Sequence, residues 1–157
     1  MAIRNIVKKG DEVLGKKCKD VTVFDEKLHT LLDDMVETMF EANGVGLAAP
    51  QIGMLRRIAV VLNIDTEEVF EIINPEIVEQ SGEESGIEGC LSVPGIYGYV
   101  ARPTYVKVKY QDRNGEHKEI EANDFFARAF CHEIDHLYGH LFDDLVTEFI
   151  DPSELEV

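Results

Sequence analysis

Between Cys131 and Gly139 the chain reads Cys-His-Glu-Ile-Asp-His-Leu-Tyr-Gly, and within it His132-Glu133-Ile134-Asp135-His136 constrains the fold more than any other stretch. On a helix, residues four apart stand one turn apart on the same face. His132 and His136 can therefore aim two imidazole nitrogens at one point. Glu133 stands beside them, near any water that a metal at that point would hold, so the spacing supplies two ligands and a general base. The bland alternative is an ordinary helix with solvated histidines. A catalytic divalent metal needs a third protein ligand. In the extended H-E-x-x-H-x-x-G-x-x-H pattern the glycine falls at Gly139, but Phe142 occupies the third histidine position and His140 comes two residues early. Only a short acidic tail follows, so the third ligand is expected upstream. Cys90, in Glu88-Gly89-Cys90-Leu91-Ser92, is the best candidate, because thiolate binds iron, zinc or cobalt strongly. The fold must then carry a mid-chain segment against a late helix.

At 157 residues with 45% apolar content, residues 1–157 are expected to form one domain with its own core. No apolar run approaches the ~20 residues that cross a bilayer. Met1-Ala2-Ile3-Arg4-Asn5 has no signal-peptide layout, so a cytoplasmic location without membrane contact is expected. Cys18, Cys90 and Cys131 make an odd set, a poor disulfide framework. Cys18 is expected to be an unremarkable thiol. The formal charge is −16, from 31 acidic and 15 basic residues, which speaks against nucleic-acid binding through bulk electrostatics. Lys8, Lys9, Lys16, Lys17 and Lys19 are a local exception, whose ordinary reading is a solvated N-terminal segment.

Residues 1–24 read as an extended or turn-rich arm. From 25 to 42, Leu28, Leu31, Leu32, Met35, Val36, Met39 and Phe40 recur at helical spacing, with Asp25 as N-cap and Gly44 after Asn43 as the stop. Glu26, Lys27, Asp33, Asp34, Glu37 and Glu41 fall on the opposite, polar face. Gly44 to Gly53 reads as a small-residue loop, with Gln51 as its polar side chain, able to approach a ligand closely. Arg57–Leu62 is a buried strand, and Val69–Val78, interrupted by Asn74-Pro75, holds one or two more. Residues 81–86 read as a polar loop and Pro94-Gly95 as a turn. Tyr105–Tyr110 and Glu116–Ala122 pair through Asn114-Gly115. A second helix starts near Asn123-Asp124, either able to cap it, and carries both histidines to Gly139; beyond Leu145 an irregular end is expected. The fold class is α+β: a single domain of antiparallel strands around a metal-binding H-E-x-x-H helix, with one long N-terminal amphipathic helix.

Three stretches taken together support a family resemblance. Gly44-Val45-Gly46-Leu47-Ala48-Ala49-Pro50-Gln51, Glu88-Gly89-Cys90-Leu91-Ser92 and His132-Glu133-Ile134-Asp135-His136 resemble the three signature motifs of peptide deformylase, in order and at compatible spacing. The flanking chain, from Ile3-Arg4 to Leu141-Phe142, is similar as well. The resemblance implies removal of the formyl group from the N-formylmethionine of newly made polypeptides, with release of formate. It implies one divalent metal, natively Fe²⁺, in a site that Zn²⁺, Ni²⁺ or Co²⁺ can occupy. Cys90, His132 and His136 would hold it with water in the fourth position, and Glu133 would serve as general base and then acid. The Gln51 amide and the Leu91 backbone N–H would form the oxyanion hole, and Gly46 would contact the substrate backbone. Partners would be the N-formylmethionyl polypeptide and, transiently, the ribosome.

The methionine side chain needs an apolar slot beside the metal. Phe125, Arg128 and Ala129 stand one and two turns before the histidines on the same face, and Val45, Ile87 and Gly89 are candidates for the other side. Core packing is the alternative for Phe125 and Ala129, and Arg128 is expected to lay its stem on apolar surface with its charge outward. Glu88 and Arg102 are expected to pair and hold the cysteine strand. His29, His117 and His140 are expected to be exposed. Two departures from the family stand out: Cys131 replaces the usual Gln, placing an oxidisable thiol near the metal, and the tail lacks the long charged helix that some members use on the ribosome. The rival readings are a small zincin-type metallopeptidase, which lacks its third ligand, and a structural metal site, which lacks its fourth.

Overall fold

A computed structural model describes residues 2–155 of the chain. The extended arm reaches Asp25, whose carboxylate accepts from the Leu28 N–H at 3.0 Å and starts α1 (Glu26–Glu41). Leu28, Leu31, Leu32, Met35 and Met39 form its buried face. Asp34, expected on the polar face, is buried instead. It accepts from the Ala2 N–H at 2.7 Å and from two guanidinium nitrogens of Arg4, at 3.0 and 2.8 Å, so a charge pair ties the N-terminal arm to the helix. The stop also differs: Asn43, not Gly44, takes the left-handed conformation at φ 56°. Gly44 then donates to the Met39 carbonyl at 2.9 Å.

The strands are β1 (Gly46–Ala48), β2 (Ile58–Leu62), β3 (Val69–Ser81), β4 (Glu84–Cys90), β5 (Val93–Arg102), β6 (Tyr105–Gln111), β7 (His117–Asn123) and β8 (Glu148–Ile150), with α2 (Asp124–Leu137) between the last two. One antiparallel sheet has the order β1-β2-β3-β6-β7, and a smaller one the order β4-β5-β8. The β6–β7 hairpin turns at Gly115, φ 83°, as Asn114-Gly115 predicts.

Other local readings are corrected. The small-residue stretch is not a loop throughout: Gly46–Ala48 pairs with Ala59–Val61, and Ala49–Ile52 forms a 3-10 helix. Of the one or two strands expected over Val69–Val78 there is one, β3, bulged at Asn74-Pro75 because proline cannot donate to the ladder and Asn74 turns left-handed at φ 52°. The freed Asn74 side chain accepts from Val21 N and donates to Val21 O, at 2.8 and 2.9 Å. The 81–86 loop shrinks to residues 82 and 83, since β4 pairs with β5 from Glu84 onward. The chain reverses at Leu91-Ser92, where Cys90 faces Val93, and Pro94-Gly95 lies inside β5. Asn123 precedes α2 without a side-chain cap bond, and Asp124 at φ 53° donates its N–H to the Thr104 carbonyl. Past Leu145 the end is not irregular: β8 covers the free edge of β5 at Tyr97–Tyr99.

The large sheet lies between the two helices. Ile58 and Val60 of β2 pack with α1, while Ala59 and Val61 pack with Phe130, Ile134 and Leu137 of α2. That explains why β2 reads as unbroken apolar sequence: both its faces are covered. Val93, Val100 and Phe142 form a small cluster beside the second sheet. Among the described residues, no helix is long and apolar enough to cross a membrane.

Candidate metal centre

α2 presents His132 and His136 on one face, and the end of β4 delivers Cys90 to them. Cys90 Sγ is 3.4 Å from His136 Nε2. One ligand atom from each of the three residues falls within 4.8 Å of the others. The imidazole rings stand 5.1 Å apart at 72° to each other. One sulfur and two imidazole nitrogens, gathered this closely and largely out of water, suit a tetrahedral divalent cation with its fourth position open.

Glu88, also on β4, holds this arrangement from behind. Its Oε1 accepts from His132 Nδ1 at 2.9 Å and Arg102 Nη2 at 2.9 Å, and its Oε2 from Arg102 Nε at 2.8 Å and Arg128 Nη1 at 2.8 Å. Burial alone would raise the Glu88 pKa, but hydrogen bonds from Arg102 and His132 outweigh it and bring the carboxyl down to about 2. An ionised Glu88 can only accept, so His132 donates through Nδ1 and turns Nε2 toward the site. Arg102 Nη1 continues the network to Asp135 Oδ2 at 2.6 Å. The expected Glu88–Arg102 pair is therefore present and buried.

Arg128 contradicts its expected orientation. Its guanidinium is buried, bonding Glu88, the Val100 carbonyl at 2.7 Å and the Glu84 carbonyl at 2.8 Å. The reason is local: a carboxylate and two carbonyls converge behind β4, and Gly86 leaves room where a Cβ would come within 2.8 Å of Nη2.

Glu133 is 4% exposed, and its Oε1 has no hydrogen-bond partner among the described residues. A Cβ on Gly46 would stand 2.3 Å from Glu133 Oε2, so glycine at 46 is what admits this carboxylate. Burial pushes the Glu133 pKa up to about 7, against the lowering charge of His132. Burial opposes a charge on His132, yet Glu133, Cys90 and Glu88 outweigh it and raise that ring to about 10. His136 is held neutral by burial and by the neighbouring His132 charge. A pocket that stabilises a proton on one of two adjacent imidazoles has a negative potential suited to a cation.

Gln51 is fixed at both ends: Oε1 accepts from Ala48 N at 2.9 Å, while Nε2 faces Ser92 Oγ at 3.2 Å and Cys90 Sγ at 3.6 Å. The Leu91 N–H, at the chain reversal, has no acceptor among the described residues.

A cavity of about 420 Å³ opens over these groups. Val45, Gly46, Ile87, Gly89, Phe125, Arg128 and Ala129 all line it, beside Gln51, Cys90, Leu91, His132 and Glu133. Phe125 and Ile87 are 44% and 42% exposed, which rules out core packing for Phe125; Ala129 joins both the core and the cavity wall. Asn43, Gly44, Pro94, Gly95 and Tyr97 line it too and escaped sequence reasoning. Tyr97 covers Gly89, where a Cβ would meet its ring at 2.6 Å, so a glycine beside the cysteine was the available signal.

Cys131 points away from this site. It is 5% exposed in the core under α2, and burial pushes its thiol up to about 11, a poor target for oxidation. His29 is not free in solvent: its Nε2 lies 2.7 Å from the Arg113 carbonyl. His117 and His140 are exposed.

The family model described as polypeptide deformylase matches residues 3–149. The chain belongs to the peptide deformylase family. The peptide deformylase of Acetivibrio thermocellus is 55% identical over 156 residues, covering 99% of this chain and 91% of that one. Among solved structures, the Legionella pneumophila peptide deformylase matches with a TM-score of 0.89 and 49% identity, over 92% of this chain and 86% of that one. The Ehrlichia chaffeensis peptide deformylase in complex with actinonin matches with a TM-score of 0.89 and 39% identity, over 94% and 90%.

Proposed function

We propose that this chain hydrolyses the N-formyl group of formylmethionyl polypeptides, releasing formate, with the whole catalytic apparatus in one domain. The observation that carries this reading is the Cys90, His132 and His136 triangle with the unpartnered Glu133 carboxylate beside it. Met1, Glu156 and Val157, the remainder of the expected 1–157 domain, lie outside the described residues.

A divalent cation held by Cys90, His132 and His136 would act as a Lewis acid and lower the pKa of a water. Glu133 takes the proton of the attacking water and returns it to the departing amine. Its burial and freedom from other hydrogen bonds keep it basic enough for the first step. Gln51 Nε2 and the Leu91 N–H donate to the oxygen on which charge develops. Gly46 offers its backbone to the substrate, and Val45, Ile87, Phe125 and Ala129 give the methionine side chain an apolar slot. Arg128 and Gly89 shape the wall of that slot, the first from behind Glu88 and the second under Tyr97.

The native ion in this reading is Fe²⁺, with Zn²⁺, Ni²⁺ or Co²⁺ as substitutes, since a thiolate with two imidazoles accepts all four. The enzyme works in the cytoplasm, meeting its substrate through transient association with the ribosome. Family membership does not favour the zincin-type peptidase.

The test is formate release from formyl-Met-Ala-Ser, run beside unformylated Met-Ala-Ser, with metal content measured on the same sample. Formate from the first and no cleavage of either peptide bond is expected; peptide-bond cleavage of the unformylated peptide would overturn the reading. With Fe²⁺ in place, activity should decline on aeration as iron is lost, while undiminished turnover with iron retained would contradict that assignment.

A further inference from the structure

The lysines at 16, 17 and 19 look like a solvated run in the sequence, but the fold adds to them. Lys19 donates its N–H to the Leu55 carbonyl at 3.0 Å, Arg57 donates to the Lys19 carbonyl at 2.9 Å, and Cys18 donates to the Leu137 carbonyl at 2.9 Å. Lys19 and Arg56 form an isolated parallel bridge. These bonds gather Lys16, Lys17, Lys19, Arg56 and Arg57 at the C-terminal end of α2. There the Lys17 ammonium and the Arg57 guanidinium each lie 5.7 Å from the centre of the Tyr138 ring.

This gathering runs against the rest of the molecule. Of 15 basic side chains, eight have a carboxylate within 4.0 Å among the described residues. Lys8, Lys27 and Lys109, on the N-terminal arm, α1 and β6, do not; the other four without one are Lys16, Lys17, Lys19 and Arg56. The three lysines are exposed and Arg56 is half-buried. Arg57 pairs with Asp20 at 2.9 Å and anchors the patch. In a chain of charge −16, with acid in twofold excess, clustered cations without carboxylates are not what electrostatic averaging gives. The Debye length at physiological salt is about 8 Å, so a partner there senses the patch and little of the acidic surface beyond it.

We propose that Lys16, Lys17, Lys19 and Arg56 bind RNA through its phosphate backbone, without reading base sequence. Several closely spaced point charges match a chain of phosphodiesters. Base stacking is not on offer, because the Tyr138 ring already meets two cations. A lipid surface fits less well: Tyr138, 40% exposed, already meets two cations, and Met54 and Leu55 beside Arg56 are partly buried. No patch residue lines the cavity, so this surface and the hydrolytic site are separable, and the inference stands whatever the cavity hydrolyses.

The experiment is fluorescence anisotropy of a short labelled oligouridylate titrated with the full chain across a salt series. Four cations on a single strand give a slope of log K against log salt near −3, so affinity should fall about 50-fold between 50 and 200 mM. Lys16→Glu/Lys19→Glu/Arg56→Glu should abolish binding while formate release and melting temperature stay as in the parent. Lys27→Glu/Lys109→Glu, which removes unpaired cations elsewhere, should leave binding intact. Should the triple variant misfold, the single changes Lys16→Gln, Lys19→Gln and Arg56→Gln should each reduce the slope by about 0.7. No binding at low salt, equal loss in the Lys27/Lys109 control, or equally tight binding to polyglutamate or phosphatidylglycerol vesicles would overturn the proposal.

Discussion

Two arginine-carboxylate clusters in this chain look alike on paper and do different work. In one, Glu88 is clamped by Arg102 and Arg128, with side-chain exposures of 4%, 6% and 10%, and its fourth bond orients His132. In the other, Arg113 bridges Asp33 at 2.8 Å and Glu71 at 2.6 Å, with side-chain exposures of 32%, 38% and 22%. The first is dry: its charges cannot fall back on water, and breaking it leaves uncompensated charge inside the protein. The second ties the β6–β7 turn to α1 and β3, but water and salt can replace either partner. Breaking the buried cluster therefore costs both stability and the orientation of a ligand, whereas the exposed one contributes only a modest amount of stability.

The comparison breaks most visibly at Glu88. Glu88→Ala strands two buried guanidinium groups, and removing one partner of such a cluster costs about 3–5 kcal/mol. Chemical denaturation should show that loss, and metal affinity should drop by about 10- to 100-fold, because His132 loses the acceptor that sets its ring. A variant that binds metal as tightly as the parent would show that Glu88 is only structural.

Gln51→Ala probes the site without touching either cluster. Loss of an oxyanion donor costs about 10²–10³ in kcat. Metal content and melting temperature should stay at parent levels, and near-normal turnover would remove Gln51 from the chemistry.

Acid sharpens the contrast. The folded-state pKa of Glu88 is depressed from 4.5 to about 2, so its stabilisation is complete above pH 4.5 and is lost as pH falls toward 2. That shift corresponds to about 3 kcal/mol. In the metal-free protein, Glu88→Gln should flatten the acid limb of stability against pH over that window, and an unchanged limb would mean other carboxylates govern it. In the exposed cluster, Glu71 and Asp33 push the Arg113 guanidinium further above its usual range, so it stays charged throughout this window.

The smallest effect is expected at Arg113. Arg113→Ala should cost at most about 1 kcal/mol, shrink further in high salt, and leave kcat unchanged. A larger loss that salt does not diminish would erase the distinction between the clusters.

What the sequence made legible follows from periodicity and from donor chemistry. Leucine and methionine spacing marks α1, Asn114-Gly115 marks the β6–β7 turn, and the three motifs name the residues that the fold brings together around the cavity. Contacts whose partners are far apart in the chain were not legible. Asp34 reads as surface because its partner, Arg4, lies 30 residues away. Arg128 reads as outward because the Glu88 carboxylate and the Val100 carbonyl that hold it come from the other sheet. β1, the start of β4 and β8 have glycine-rich or acidic sequences without strand alternation, and pairing to a neighbour makes them strands. The basic patch was half visible: its lysines stand together in the chain, but Arg56 arrives through the bridge to Lys19.

The central claim is that one cation is held jointly by Cys90, His132 and His136. Its most direct test is titration of Co²⁺ into metal-free protein, followed by absorption, for the parent chain and for Cys90→Ala. The account predicts saturation at a single equivalent with a thiolate-to-cobalt charge-transfer band in the parent, and loss of that band with much weaker binding in Cys90→Ala. Equal affinity and an unchanged spectrum in the two proteins would contradict it.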